Sequence, residues 1–143
     1  MTEVTSAHVP SRVVLNQADI DHVLSLETPL ARFAIECNTA ARRAFRVQTG
    51  EDGISLPDPV AMAIALDPDV GTSWSRHHVD VETESELTRG MSVVDQLNAA
   101  GNSRNREVWK NFAERNARTN VCWTLDVARW KAALFEALQR PQS

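Results

Sequence analysis

Asp58 is the residue best placed to do chemistry in this sequence. It stands between Pro57 and Pro59, at the head of the apolar run Val60 to Leu66. A carboxylate there can accept a backbone N–H as the N-cap of the following helix. Helix N-termini at the carboxyl edge of an open parallel sheet are also where such folds place ligands. Other combinations read as less pointed. His77 and His78 are adjacent, and on a strand adjacent side chains face opposite ways, so they are expected as a surface strand pair and not as a metal site. Asp80, Glu82, Glu84 and Glu86 recur at period two. They read as the solvated face of a strand leading into a turn. Cys37 and Cys122 lie far apart, in no CxxC arrangement, and are expected as buried free thiols. His8 and His22 read as exposed. No side chain is assigned as nucleophile, general acid or general base.

Composition limits the partners. The 143 residues suffice for one modest core, and 43% apolar with 24% charged is a globular profile. A net charge of -4 gives no electrostatic reason to bind nucleic acid or an anionic membrane. The stretch from Arg104 to Arg118 is basic and carries Trp109, but Glu107 and Glu114 interrupt it, so it reads as a solvated loop or short helix. No apolar run reaches the roughly 20 residues of a membrane span. Met1 to Val9 is polar, and a cytoplasmic location is the expectation.

The elements that must position Asp58 follow from periodicity and caps. Residues 1–11 read as frayed or extended. After the short run Val13-Val14-Leu15, Asn16 and Asp19 predict a helix start close to a capping box, with Ile20, Val23 and Leu24 as its apolar face. Thr28-Pro29 opens a second helix. Leu30, Phe33, Ala34, Cys37, Ala41 and Phe45 carry it at helical spacing to a stop at Gly50. The third helix, Val60 to Leu66, is apolar all round and is therefore expected to be buried, ending at Asp67-Pro68-Asp69. Ser73 to Glu84 and Met91 to Asp95 read as strands. A short helix is expected around Val108 to Ala113, then a strand at Val121 to Leu125. Asp126 caps a last helix with Val127, Trp130, Leu134 and Leu138 on its apolar face, and Trp123 and Trp130 are expected in the core. So few strands leave apolar helix faces uncovered unless another segment packs on them.

Three stretches resemble the nucleoside hydrolases, the inosine–uridine preferring N-ribohydrolases. Leu56-Pro57-Asp58-Pro59-Val60-Ala61-Met62-Ala63 is similar to that family's late helix start. Val79 to Asp95, with Glu86-Leu87-Thr88-Arg89-Gly90 at its turn, resembles a strand, turn and returning strand of the family. Asn120-Val121-Cys122-Trp123 onward to Leu138 is like its closing strand and helix. The similarity runs from about Val9 to Leu138.

The resemblance implies an α/β fold: the C-terminal portion of an open-sheet nucleoside hydrolase fold, with an incomplete sheet and flanking helices. Residues 1–143 then form a single or partial domain. It implies hydrolysis of the N-glycosidic bond of purine or pyrimidine ribonucleosides to ribose and base, and it makes Asp58 a calcium ligand. The calcium of a complete enzyme orients the sugar hydroxyls and lowers the pKa of a water. The family's N-terminal aspartate cluster, of the D-x-D-x-x-x-D-D type, does not occur in this sequence. Pro57 stands where many members carry a histidine. The expectation is therefore a chain inactive by itself and holding no calcium alone, which takes a ribonucleoside only when completed by an N-terminal segment. Self-association or a complementary subunit is the expected partner, with no nucleic acid and no membrane. The alternative is a non-enzymatic interaction module or a truncated remnant that binds another subunit.

Overall fold

The computed structural model describes residues 4–5, 13–104 and 118–140. The expected helix at Val108 to Ala113, Trp109 and His8 lie outside the described residues. The elements run β1 (Val4–Thr5), β2 (Val14–Leu15), α1 (Gln17–Ser25), α2 (Pro29–Glu36), α3 (Thr39–Thr49), β3 (Ile54–Ser55), α4 (Pro57–Leu66), β4 (Gly71–His77), β5 (Val79–Val81), β6 (Ser92–Val94), β7 (Thr119–Leu125) and α5 (Val127–Gln139). They fall into two compact units. One is helical and comprises Val9–Val70 with Leu125–Ser143; the other is rich in strands and comprises Met1–His8 with Gly71–Thr124.

In the helical unit, caps written in the sequence also tie helices together. Asn16 Oδ1 accepts from Asp19 N at 3.0 Å and Asp19 Oδ2 accepts from Asn16 N at 2.8 Å, a complete capping box. The same Asp19 oxygen receives Lys131 Nζ of α5 at 2.6 Å. Thr28 Oγ1 accepts from Ala31 N at the start of α2 and donates to Leu138 O near the end of α5. Between these ties, Val23, Ala31 and Leu138 are buried with Leu26, Leu30, Ala34, Ile35, Leu134 and Phe135 packed around them.

The single helix expected from Thr28 to Gly50 is two. At the break, Asn38 Nδ2 donates to Ala34 O at 2.9 Å and Thr39 Oγ1 donates to Glu36 O at 2.7 Å. Polar side chains thus compete for the carbonyls that a continuous helix would use. Cys37 sits at this break and is exposed, which corrects its expected burial; Cys122 is buried and free. Gly50 closes α3 in the left-handed conformation, at φ 77°. β2 and β3 pair antiparallel, Val14 with Ser55 and Leu15 with Ile54. Gly53 lets them approach, since a Cβ there would lie 2.5 Å from Val14 Cγ1.

In the strand-rich unit, β7 lies between β1 and β4, with β1 parallel to it. β5 and β6 form a separate antiparallel pair, Val79 opposite Val94 and Val81 opposite Ser92. The strand expected from Ser73 to Glu84 is interrupted at His78 and ends at Val81. Among the described residues no helix is long and apolar enough to cross a membrane.

Candidate functional site

Asp58 is exposed and lies within the first turn of α4, after Pro57 and not ahead of the helix. The N-cap is Leu56, with no side-chain hydrogen bond. This corrects the expectation that Asp58 caps the helix. The sequence explains why no cap is required. Pro57 and Pro59 bring no N–H to the first turn, so two of the donors that usually need an acceptor are absent. Among the described residues no hydrogen bond or ion pair engages the Asp58 carboxylate. It stands at the positive end of the helix with its acceptor sites open.

Below it, α4 is only half buried. Val60 and Ile64 are inside, while Met62 is 60% and Leu66 79% exposed, contrary to a helix buried all round. α4 and α5 flank an apolar groove of about 220 Å³ lined by Met62, Ala63, Leu66, Trp130, Leu134 and Ala137, among others. Trp130 is 1% exposed, as expected of a core residue, yet its Nε1 has no partner among the described residues.

The strand-rich unit holds polar residues that the sequence did not single out. Asp95 is buried and its two carboxylate oxygens accept from Ala99 N at 2.7 Å and Ala100 N at 2.8 Å. Burial pushes its pKa up. The two N–H donors and the nearby His78 and His77 outweigh that and hold it below the ordinary value. The signal was present in the spacing, an aspartate four and five residues ahead of two alanines in a short turn.

His77 and His78 are not a surface pair, because the strand stops between them and His78 is buried, its Nδ1 without a partner among the described residues. His77 is half-buried, its Nδ1 lying 2.9 Å from Asp95 O and its Nε2 2.7 Å from Ser75 Oγ. Trp123, expected in the core, is half-buried and donates from Nε1 to Ser75 Oγ. His22 is exposed as expected and packs its ring edge-on to Phe135.

The acidic series also divides. Glu82 accepts from Glu84 N at 2.7 Å and Ser85 N at 3.0 Å, which lowers its pKa and folds the turn between β5 and β6. Gly90, at φ 87°, returns that turn to the partner strand. Among the described residues no three His, Cys, Asp or Glu side chains gather closely enough to hold a metal ion.

The sequence model of the family described as inosine-uridine preferring nucleoside hydrolase matches residues 1–132. An inosine-uridine preferring nucleoside hydrolase of Crithidia fasciculata is 26% identical over 121 residues, 85% of this chain and 34% of the relative. A pyrimidine-specific ribonucleoside hydrolase of Klebsiella pneumoniae is 33% identical over 68% of this chain and 31% of its own length. Among solved structures, a plant nucleoside hydrolase superposes with a TM-score of 0.65 at 19% identity, over 90% of this chain and 38% of that one. A purine-preferring ribonucleoside hydrolase from Gardnerella vaginalis gives 0.59 at 20% identity. The chain therefore spans about a third of the length of the relatives it matches, has the α/β architecture of part of their fold, and belongs to the inosine-uridine preferring nucleoside hydrolase family.

Proposed function

We propose that this chain supplies the Asp58 portion of a ribonucleoside-hydrolysing site and that the remaining catalytic groups come from a complementary segment. The reaction is cleavage of the N-glycosidic bond of a purine or pyrimidine ribonucleoside by water, giving ribose and base. Family membership supports the reaction class. The observation that carries the division of labour is Asp58 itself, an exposed carboxylate on a helix start that needs no cap, with its acceptor sites open among the described residues.

Calcium takes about six to eight oxygen ligands. The described side chains do not fit it by themselves, since one carboxylate stands alone and no group of three ligating side chains occurs among them. Asp58 contributes a single negatively charged oxygen ligand, and the other ligands, the base that takes the water's proton and the group that neutralises the departing nucleobase lie elsewhere. The complementary partner has apolar surface to cover, because α4 and α5 leave an open apolar groove. That groove also supports a second reading, an interaction module without catalysis.

An assay of ribose release from inosine and uridine by the purified chain, with calcium present, tests the division of labour. No release is expected. Calcium-dependent release abolished by Asp58→Ala overturns it.

A further inference from the structure

Outside the Asp58 region, the strand-rich unit aligns a serine, an imidazole and a carbonyl in one hydrogen-bonded line. Ser75 and His77 are two residues apart on β4, so their side chains fall on the same face of the strand. His77 Nδ1 is 2.9 Å from the backbone oxygen of Asp95. A carbonyl oxygen can only accept, so Nδ1 carries the proton and Nε2 presents its lone pair. Ser75 Oγ, 2.7 Å from Nε2, is then the donor. Trp123 Nε1, which is a donor only, gives its hydrogen to Ser75 Oγ at 2.5 Å. The Asp95 carboxylate is close enough to both histidines for their charges to favour its ionised form.

We propose that Ser75 is a nucleophile toward small activated acyl and phosphonyl donors, with His77 as its general base. An oriented base beside a hydroxyl, with the base held by a third group, is the arrangement that activates serine. Each member has one role. Asp95 O fixes the tautomer, His77 Nε2 takes the proton, and the Trp123 N–H stabilises negative charge on Oγ as the proton leaves.

With an activated ester, Oγ attacks the carbonyl carbon while its proton passes to Nε2. The bond from that carbon to the leaving oxygen breaks, and the alcohol departs with the proton from Nε2. Water then attacks the same carbon and gives a proton to His77; the carbon–Oγ bond breaks, His77 returns that proton to Oγ, and the carboxylic acid leaves with Ser75 restored. Ser75 and His77 are both half-buried, so the pair is reachable from solvent. Two N–H donors aimed at a carbonyl oxygen would be needed for fast turnover. Among the described residues Trp123 is the donor on Ser75 Oγ, and it serves the nucleophile and not the carbonyl oxygen, so slow turnover is expected.

The test is labelling of the full chain with a small alkyl fluorophosphonate, followed by peptide mapping. Oγ displaces fluoride from phosphorus and the proton goes to His77, so the adduct marks the nucleophile permanently. One adduct on Ser75 is expected. His77→Gln should slow labelling by about a hundredfold, on the usual scale of a general base. Ser75→Ala should abolish it with an unchanged circular dichroism spectrum. If Ser75→Ala does not fold, the mapped position in the unaltered chain decides alone. No adduct on Ser75, or labelling that is as fast in His77→Gln, overturns the proposal.

Discussion

Asp58 in the helical unit and Asp95 in the strand-rich unit are the same side chain put to opposite uses. Each lies at or just ahead of the start of a helical turn, Asp58 inside the first turn of α4 and Asp95 ahead of the turn at Ala99–Gly101. Asp95 is 5% exposed with both oxygens occupied by backbone N–H groups. Asp58 is exposed, and the prolines around it leave few donors for it to satisfy. The difference teaches that residue type and helix position do not separate a structural carboxylate from an available one. What separates them is whether the local backbone presents N–H groups to its oxygens.

Stability measurements can break this comparison. The largest effect is expected at Asp95. Asp95→Ala leaves two backbone N–H groups without their charged acceptor, and about 3 kcal/mol should be lost in urea unfolding. Acid gives a second view of the same residue. The folded pKa of Asp95 lies below its ordinary 3.8, so its ionisation stabilises the fold fully above that value and the contribution is lost as pH falls through the lower, folded value. The stability gap between the unaltered chain and Asp95→Asn should therefore shrink below about pH 4; a constant gap would mean that the charge of Asp95 is not what holds the turn.

Smaller effects sharpen the contrast within the helical unit. Asn16→Ala removes a real cap and should cost about 1 kcal/mol. Asp58→Ala removes only a favourable charge near a helix start, worth about 0.5 kcal/mol. Should Asp58→Ala cost as much as Asn16→Ala in thermal melts, Asp58 would be a cap after all.

The sequence was most legible where the determinants are local. The Asn16–Asp19 box, the Asp126 cap, the Gly50 stop and the Asp67 end of α4 involve residues within one turn of each other, and they stand where periodicity and cap chemistry put them. The break at Cys37-Asn38 was missed because apolar spacing continues through it, while the interruption comes from the Asn38 and Thr39 side chains taking carbonyls. His78 was misjudged because alternation runs on past it, whereas its burial depends on the Asp95 segment pairing with it through Asp95 N and His78 O. Asp58 was legible as a position, and the two prolines beside it, which bring no N–H to the first turn, were the signal against its being a cap.

Reassembly tests the central claim most directly. A segment from a nucleoside hydrolase bearing the aspartate cluster is fused to, or mixed with, this chain, and ribose release is followed as calcium is varied, for the unaltered chain and for Asp58→Asn. The account predicts that release is restored, that Asp58→Asn lowers it by a hundredfold or so, on the scale of losing a metal-activated step, and that the two proteins melt within about 1 kcal/mol of each other. Full activity of Asp58→Asn at low calcium would contradict it, leaving Asp58 an ordinary surface residue on a helix.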